Sequence, residues 1–465
     1  MSRLSKNVII YFIGNTVNRF MGLIVMLIAT HLVDKTDLGF FNYISNCTNI
    51  LVTTCCLQIW MAIIRFVFDY KTIKGKLKVI SSGYFVECLA FFACTVVIII
   101  YSVTQKYSIW FTFEILLLNI GYAFNQGVQF ACRGLGKNKL YVISGMVGSF
   151  MQLLSSVIFL FVFKMKYSAL ILSTAISYIS QGAFIELFLR TFKHTKLKYV
   201  DVKVIKKMIQ YSIPTTLNFL AYWFNQNAYI WLLKIYYNNA AVGMFTPAYK
   251  MTSLIGFFVM SFNYAFQEYS FFVNKSNKRG KMYNTTFNSF LRFISSGTII
   301  LLPATSIFFS FMGRSYKGAK YLVPILYLGS ILDSLQIFLG SIMQAEKKVI
   351  SMFFSQLVGL ATTIITMNIA NKFVNLQSAG FAMVFCFLIV ATIRIISINS
   401  TINLKFNMLY VLQFIPIYVL TSYVYIRYNE IINFLYSILA ALYFIVCNKN
   451  LIFKLILKFC SKNKT

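Results

Sequence analysis

Four cations, Arg19, Lys250, Arg292 and Arg394, lie inside long apolar stretches of this chain, and amides and hydroxyls recur beside them at helical spacing. The first stretch carries Asn15, Asn18 and Arg19, the second Asn42, Ser45, Asn46, Asn49 and Thr53, and the fourth Asn125, Gln126 and Gln129. The second half repeats the device. Its seventh stretch has Asn218, Tyr222, Asn225, Gln226 and Tyr229, its eighth Lys250, Ser253, Ser261, Tyr264 and Glu268, and its tenth Asp333, Gln336, Ser341 and Gln344. Steps of three, four and seven put each set on one helix face. Such faces offer solvation of a polar path and compensation of an anion's charge. The other use of buried amides and hydroxyls is hydrogen bonding between packed helices. A cation at a bilayer centre costs roughly 3 kcal/mol, which marks Arg19 and Lys250 as candidate anion ligands. Arg19 has a structural alternative, an ion pair with an acid such as Glu114. Arg292 lies inside a span without a stripe of its own, and Arg65 ends the second stretch, where it either faces the path or snorkels to headgroups. Glu114, Glu268 and Asp333, with Glu87 and Glu186, are candidates for ion pairs or for a coupling proton or sodium site.

The elements that must position these groups are transmembrane helices. About twenty apolar residues cross a ~30 Å hydrocarbon core, and such stretches recur about fourteen times, at roughly 7–33, 38–64, 79–103, 108–132, 140–163, 168–189, 208–233, 242–270, 282–312, 321–345, 349–371, 377–401, 408–426 and 431–447. The hydrophobic fraction of 59% against 12% charged residues leaves no room for a soluble domain. A net charge of +32 would suit a nucleic-acid surface, but the cations fall between spans, so no nucleic-acid partner is expected. With the N-terminus inside, inner segments hold 29 of the 43 Lys and Arg residues and outer loops 10, which places both termini in the cytoplasm of a multi-pass inner-membrane protein. Arg19 interrupts the first stretch where the short apolar region of a cleavable signal would lie. The nine cysteines are irregularly spaced and only two histidines exist, so neither a metal nor another cofactor is expected.

The longest inner connection, 191–207, holds Val204, Ile205, Met208 and Ile209 on one face and Lys203, Lys206 and Lys207 on the other, with Asp201 as N-cap. That predicts a basic amphipathic helix on the inner leaflet, or else a solvated linker, at a boundary between halves. Leu38-Gly39-Phe40-Phe41 is echoed by Val242-Gly243-Met244-Phe245, and Val142-Ile143-Ser144 after span four by Val349-Ile350-Ser351 after span ten. An even six-span offset predicts two parallel lobes. The expected layout is an N-lobe over 1–190, the linker, a C-lobe over 208–405, two further spans over 406–447 and a basic tail over 448–465. Pro214 and Pro247 predict kinks in spans seven and eight. An all-α polytopic protein follows, its spans lining a shared cleft.

Enzyme signatures are missing. There is no phosphate-binding Gly-rich loop ending in Lys-Ser/Thr, so no ATPase is built in. Asp34 and Asp37 could suggest an acidic outer loop of a membrane glycosyltransferase. Helix capping by Asp37 or Thr36, with Asp34 ending the loop, explains them more economically.

The opening Asn7–Arg19, Asp37-Leu38-Gly39-Phe40-Phe41-Asn42, Ile63-Ile64-Arg65-Phe66, Arg133-Gly134-Leu135-Gly136-Lys137-Asn138-Lys139, Tyr211-Ser212-Ile213-Pro214, Gly313-Arg314-Ser315-Tyr316, Val323-Pro324-Ile325-Leu326 and Gly340-Ser341-Ile342 run in order along nearly the whole chain. Together they resemble the Wzx-type polysaccharide flippases of the multidrug/oligosaccharidyl-lipid/polysaccharide exporter superfamily. The resemblance implies two pseudo-symmetric six-helix lobes in a V with two C-terminal helices. It also implies a cationic cavity and a cargo of oligosaccharide on undecaprenyl pyrophosphate moved to the outer leaflet, with membrane lipids, a polysaccharide polymerase and a chain-length regulator as partners. Asn15, Asn18, Asn46, Asn49, Asn218, Tyr222, Asn225, Arg65 and Arg292 would line that cavity around Arg19 and Lys250. One departure stands out: where the family often has an Asp-Arg pair in span seven, this chain reads Asn225-Gln226-Asn227. A multidrug antiporter of the same superfamily and a membrane glycosyltransferase or polymerase are the alternatives.

Overall fold

Lipid offers no partner to backbone N–H and C=O groups, so apolar runs of this length close their hydrogen bonds internally as helices. The computed structural model describes residues 3–273, 279–346, 348–405 and 407–462, while the side chains at 3–15, 218, 257, 261, 264–265, 267–269, 271–273, 349 and 450–462 lie outside the described set. The helices are α1 (Arg3–Leu32), α2 (Lys35–Cys55), α3 (Ile59–Val67), α4 (Ile73–Thr104), α5 (Ile109–Gly134), α6 (Asn138–Val157), α7 (Tyr167–Leu189), the single turn α8 (Thr191–His194), α9 (Val202–Tyr236), α10 (Asn239–Thr252), α11 (Leu254–Val273), α12 (Arg279–Ser310), α13 (Val323–Ala345), α14 (Val349–Ala370), α15 (Gln377–Asn399), α16 (Met408–Arg427) and α17 (Glu430–Lys462). Side-chain oxygens of Asp34, Thr72, Ser108, Asn238 and Asn407 cap α2, α4, α5, α10 and α16. Asp34 therefore caps span two and Asp37 sits in its first turn, the reverse of the expected roles.

Among the described residues nine helices are long and apolar enough to cross a membrane, ten if α2 and α3, bent by 56°, form one span. The shortfall from about fourteen falls in the spans that carry polar stripes. Amides dilute α5 and α9, span eight is divided into α10 and α11 at Ser253, and only Thr16–Leu32 of span one enters the test. The break between α2 and α3 was not foreseen: Leu57 and Gln58 adopt left-handed φ of 47° and 45°, a costly conformation for residues with a Cβ. The two prolines lie inside helices rather than at breaks. Helix α9 runs unbroken through Pro214, and span eight breaks at Ser253 rather than at Pro247.

The chain divides into two compact units, 1–223 and 224–465, with the division inside α9 rather than in the 191–207 connection. That connection is not a separate helix on the leaflet. Its later part is the first turn of α9, and Val204 and Met208 are buried in a core with Ile63, Val79, Ile80, Ala131 and Ile185. Asp201 caps the helix by accepting from the Lys203 N–H at 2.7 Å, pairs with Lys78, and donates its own N–H to Ser82 Oγ at 3.0 Å. Val204 and Met208 met protein, and Lys203, Lys206 and Lys207 remain exposed. In the second unit α14 and α13 pack on α15, and α16 and α17 pack on α12. Large apolar side chains cover the outside, as on α17, where Ile431, Leu435, Leu439, Leu442 and Val446 form one exposed stripe.

Candidate functional site

In the first unit the stripes of α1, α2 and α5 find partners on one another and on α6 and α7. Asn18 Oδ1 accepts from Ser149 Oγ at 3.1 Å, and Tyr122 OH donates to Asn49 Oδ1 at 2.6 Å. Gln181 of α7 is the hub: its Oε1 accepts from Asn125 Nδ2 at 3.0 Å and from Gln129 Nε2, which also donates to Asn125 Oδ1 at 2.9 Å. A glycine makes this possible, since a Cβ on Gly148 would stand 2.2 Å from Gln181 Cγ. The network borders a cavity of about 250 Å³ whose lining includes Asn18, Tyr122, Asn125, Gln129, Tyr178 and Gln181. Its lining is neutral and offers donors and acceptors at many angles, the chemistry that binds hydroxyl groups. Arg19 follows Asn18 on α1 and is half-buried. Glu114 is fully buried, and its polar neighbours are Ser168 and Trp110 rather than Arg19.

Two expected residues find partners four residues away along the chain. Asn46 Nδ2 donates to the Asn42 carbonyl of its own helix at 2.8 Å. Arg65 makes an exposed pair with Asp69 at 2.6 Å, a short-range partner one turn on. The side chains of Asn15, Asn218 and Glu268 lie outside the described residues.

The second unit uses charge. Asn225, 2% exposed, donates from Nδ2 to the Gln356 carbonyl at 2.8 Å and to Gln356 Oε1. Gln356 Nε2 donates to Gln336 Oε1 at 3.1 Å, and Gln336 Nε2 to Asp333 Oδ1 at 2.8 Å. Gln226 Nε2 reaches the same Asp333 oxygen at 2.9 Å. Arg394, 2% exposed, donates from Nε to Ser355 Oγ at 3.1 Å and from Nη1 to the Gln336 carbonyl. Its guanidinium fits because residue 340 is glycine, where a Cβ would stand 2.9 Å from Nη1. Spans ten and twelve thus supply an acid and a guanidinium beside the Asn225–Gln226 pair, where span seven itself lacks them. Sequence reasoning gave Arg394 no place in the site and missed Gln181, Gln336 and Gln356 as partners across helices; its available signal was an arginine inside an apolar span.

Lys250 sits in the last turn of α10, whose terminal carbonyls favour a cation, and the Lys250 carbonyl accepts from Ser253 Oγ at 2.8 Å. Tyr222 is half-buried in α9, one turn before Asn225. Arg292 has its own surroundings in the second unit. It lies against α16, with its guanidinium 5.7 Å from the Tyr410 ring, and in a basic pocket with the connection after α15.

Polar interiors inside apolar-walled helix bundles define a multi-pass helical membrane protein. Residues 4–266 match the polysaccharide biosynthesis protein family, and the chain belongs to that family. Among solved structures the chain is similar to the lipid II flippase MurJ in an inward closed conformation, at 15% identity and a TM-score of 0.73, covering 96% of this chain and 100% of that one. It is also similar to an inward-facing multidrug resistance MATE family transporter of the MOP superfamily, at 15% identity and a TM-score of 0.63, covering 82% and 93%. A MATE transporter from Vibrio cholerae aligns at 12% identity and a TM-score of 0.58, covering 86% and 97%. No curated protein matches the sequence.

Proposed function

We propose that this protein is a flippase carrying oligosaccharide units on undecaprenyl pyrophosphate from the inner to the outer leaflet of the bacterial cytoplasmic membrane, for O-antigen or capsule synthesis. Membership of the polysaccharide biosynthesis protein family carries the reading. Two features support it. The amide- and tyrosine-lined cavity of the first unit suits sugar hydroxyls better than the acid-and-aromatic site expected of a multidrug antiporter. Arg19 and Lys250 are the cations offered to the pyrophosphate, Arg as a two-pronged ligand and Lys as a point charge. Transport then proceeds by alternating exposure of the polar path, with both termini cytoplasmic as the lysine and arginine bias dictates. The protein acts as a transporter, handing its cargo to a polymerase and chain-length regulator without making or breaking a bond.

The decisive experiment is translocation of a lipid-linked oligosaccharide in proteoliposomes, alongside surface polysaccharide in cells. Arg19→Ala is expected to insert normally and to accumulate lipid-linked oligosaccharide on the cytoplasmic face. Arg19→Lys should retain part of the activity, and Lys250→Ala should be milder. Normal polysaccharide from the double alanine variant at equal protein level would sink the assignment of these cations. Turnover of lipid-linked sugar by the purified protein would replace the transporter by an enzyme.

A further inference from the structure

A second polar cavity, about 850 Å³, opens in the second unit at the start of α12. Its walls are α12 and the connection from α15 to α16. Two asparagines one turn apart fix that connection. Asn284 Nδ2 donates to the Asn403 carbonyl at 3.0 Å while its Oδ1 accepts from the Lys405 N–H at 2.9 Å. Asn288 repeats the pattern, donating to the Lys405 carbonyl at 2.9 Å and accepting from the Asn407 N–H at 2.9 Å. Paired amide–backbone bonds of this kind satisfy the connection's polar groups and fasten it to α12.

Four cations, Arg279, Lys281, Arg292 and Lys405, line the cavity, and among the described residues no carboxylate does. Arg279 has an acid at its side, Glu346 at 3.2 Å. Lys281 and Lys405 are exposed and make no described ion pair, and the buried Nε of Arg292 has no hydrogen-bond partner. Like charges gathered on a fixed scaffold repel each other, and the arrangement is stabilised by an anion with several acceptor oxygens. The two ends of the wall also tie the last helices down: Ser295 Oγ and Tyr410 OH are 2.6 Å apart, and Asn448 Nδ2 donates to Ser296 Oγ at 2.9 Å.

We propose that this cavity binds the phosphate of a lipid headgroup at the inner leaflet, apart from the transport path, and so fastens α16 and α17 to α12. The inner-leaflet location rests on the orientation given above, but the binding chemistry does not depend on transport. Two lipids present that phosphate chemistry, an anionic phospholipid and the polyprenyl pyrophosphate carrier.

The test is direct binding to the full chain in phosphatidylcholine nanodiscs, read by native mass spectrometry of retained lipid and by competition of a fluorescent lipid. Phosphatidylglycerol, undecaprenyl pyrophosphate and inorganic pyrophosphate are the probes. At least one of the two lipids should bind above the phosphatidylcholine background. The Lys281→Gln, Lys405→Gln double variant, altered only at exposed positions, should weaken that lipid by at least about tenfold. Arg292→Gln should weaken it further if it folds, and the exposed double variant decides the matter if it does not. Preference for phosphatidylglycerol identifies a structural lipid, and preference for undecaprenyl pyrophosphate identifies a second carrier site. Unchanged lipid affinity in the double variant, or binding of inorganic pyrophosphate with neither lipid, overturns the proposal. Translocation lost in Arg19→Ala with lipid binding intact here would separate the two assignments.

Discussion

The two units solve one problem, hydrogen-bonding the polar groups inside a membrane bundle, in different ways. The first uses neutral amides around Gln181 and leaves a cavity of about 250 Å³. The second runs a chain of amides from Asn225 to Asp333 and tethers it to the buried guanidinium of Arg394. A neutral network can lose a member and leave single unsatisfied groups, whereas a buried charge that loses its partners is far more costly. The second network thus holds α13, α14 and α15 together, whereas the first leaves a neutral polar cavity open, the one proposed to meet cargo.

The sharpest way to break this contrast is to remove each hub. Arg394→Leu should cost about 3–5 kcal/mol, because Ser355 Oγ and the Gln336 carbonyl both lose a charged donor, each such bond contributing about 1.5–3 kcal/mol. Gln181→Leu should cost about 1–3 kcal/mol, the desolvation of the amides it leaves behind. Thermal melting of both variants in detergent checks the order, and a larger loss from Gln181→Leu would reverse the assignment of roles.

Next in size is Gly148→Ala. Its Cβ would press on Gln181 Cγ, near the base of that side chain, so the hub must shift. A cost of about 1–3 kcal/mol and impaired translocation are expected. Gly340→Ala meets only the outer end of the Arg394 side chain at 2.9 Å, and should disturb melting less. Equal melting losses would show that the two networks are equally rigid.

The smallest effect belongs to the seam at the start of α9. Lys78 and the N–H groups of the first turn hold the Asp201 carboxyl below its ordinary range. A depressed folded value means that the contribution is complete above the unfolded carboxylate value and is lost as pH falls through the lower one. Asp201→Asn should therefore lower the melting temperature by about 2 °C or less at neutral pH, since both partners face solvent. The gap to wild type should close only on strong acidification. A gap that widens on acidification would contradict the sign.

How much of this was legible beforehand depended on whether a feature is periodic along the chain. Stripes of amides at steps of three and four, apolar stretches near twenty residues and the N-cap at Asp201 are local patterns, and they gave the helices and the faces their polar groups occupy. The break at Leu57–Gln58 left no such mark, because neither residue favours a left-handed backbone and surrounding packing imposes it. The 191–207 segment shows the limit of amphipathicity: its apolar face requires a covering, and sequence cannot distinguish a lipid surface from Ile63 and Val79 of the same unit.

The sequence alone determined that the protein is helical and membrane-spanning, and which helix faces are polar, because those properties depend on the period of a single helix and the absence of water in lipid. Tertiary structure decided which polar residues meet. Gln181 became a hub and Arg394 a buried tether because residues more than fifty positions apart converge where Gly148 and Gly340 leave room for them. Arg292, which shares its intramembrane character with Arg394, was instead drawn to Tyr410 and a basic pocket. The physical reason is that a side chain's partner is fixed by which helices pack against its face, and that depends on the shape of both surfaces rather than on the spacing along either.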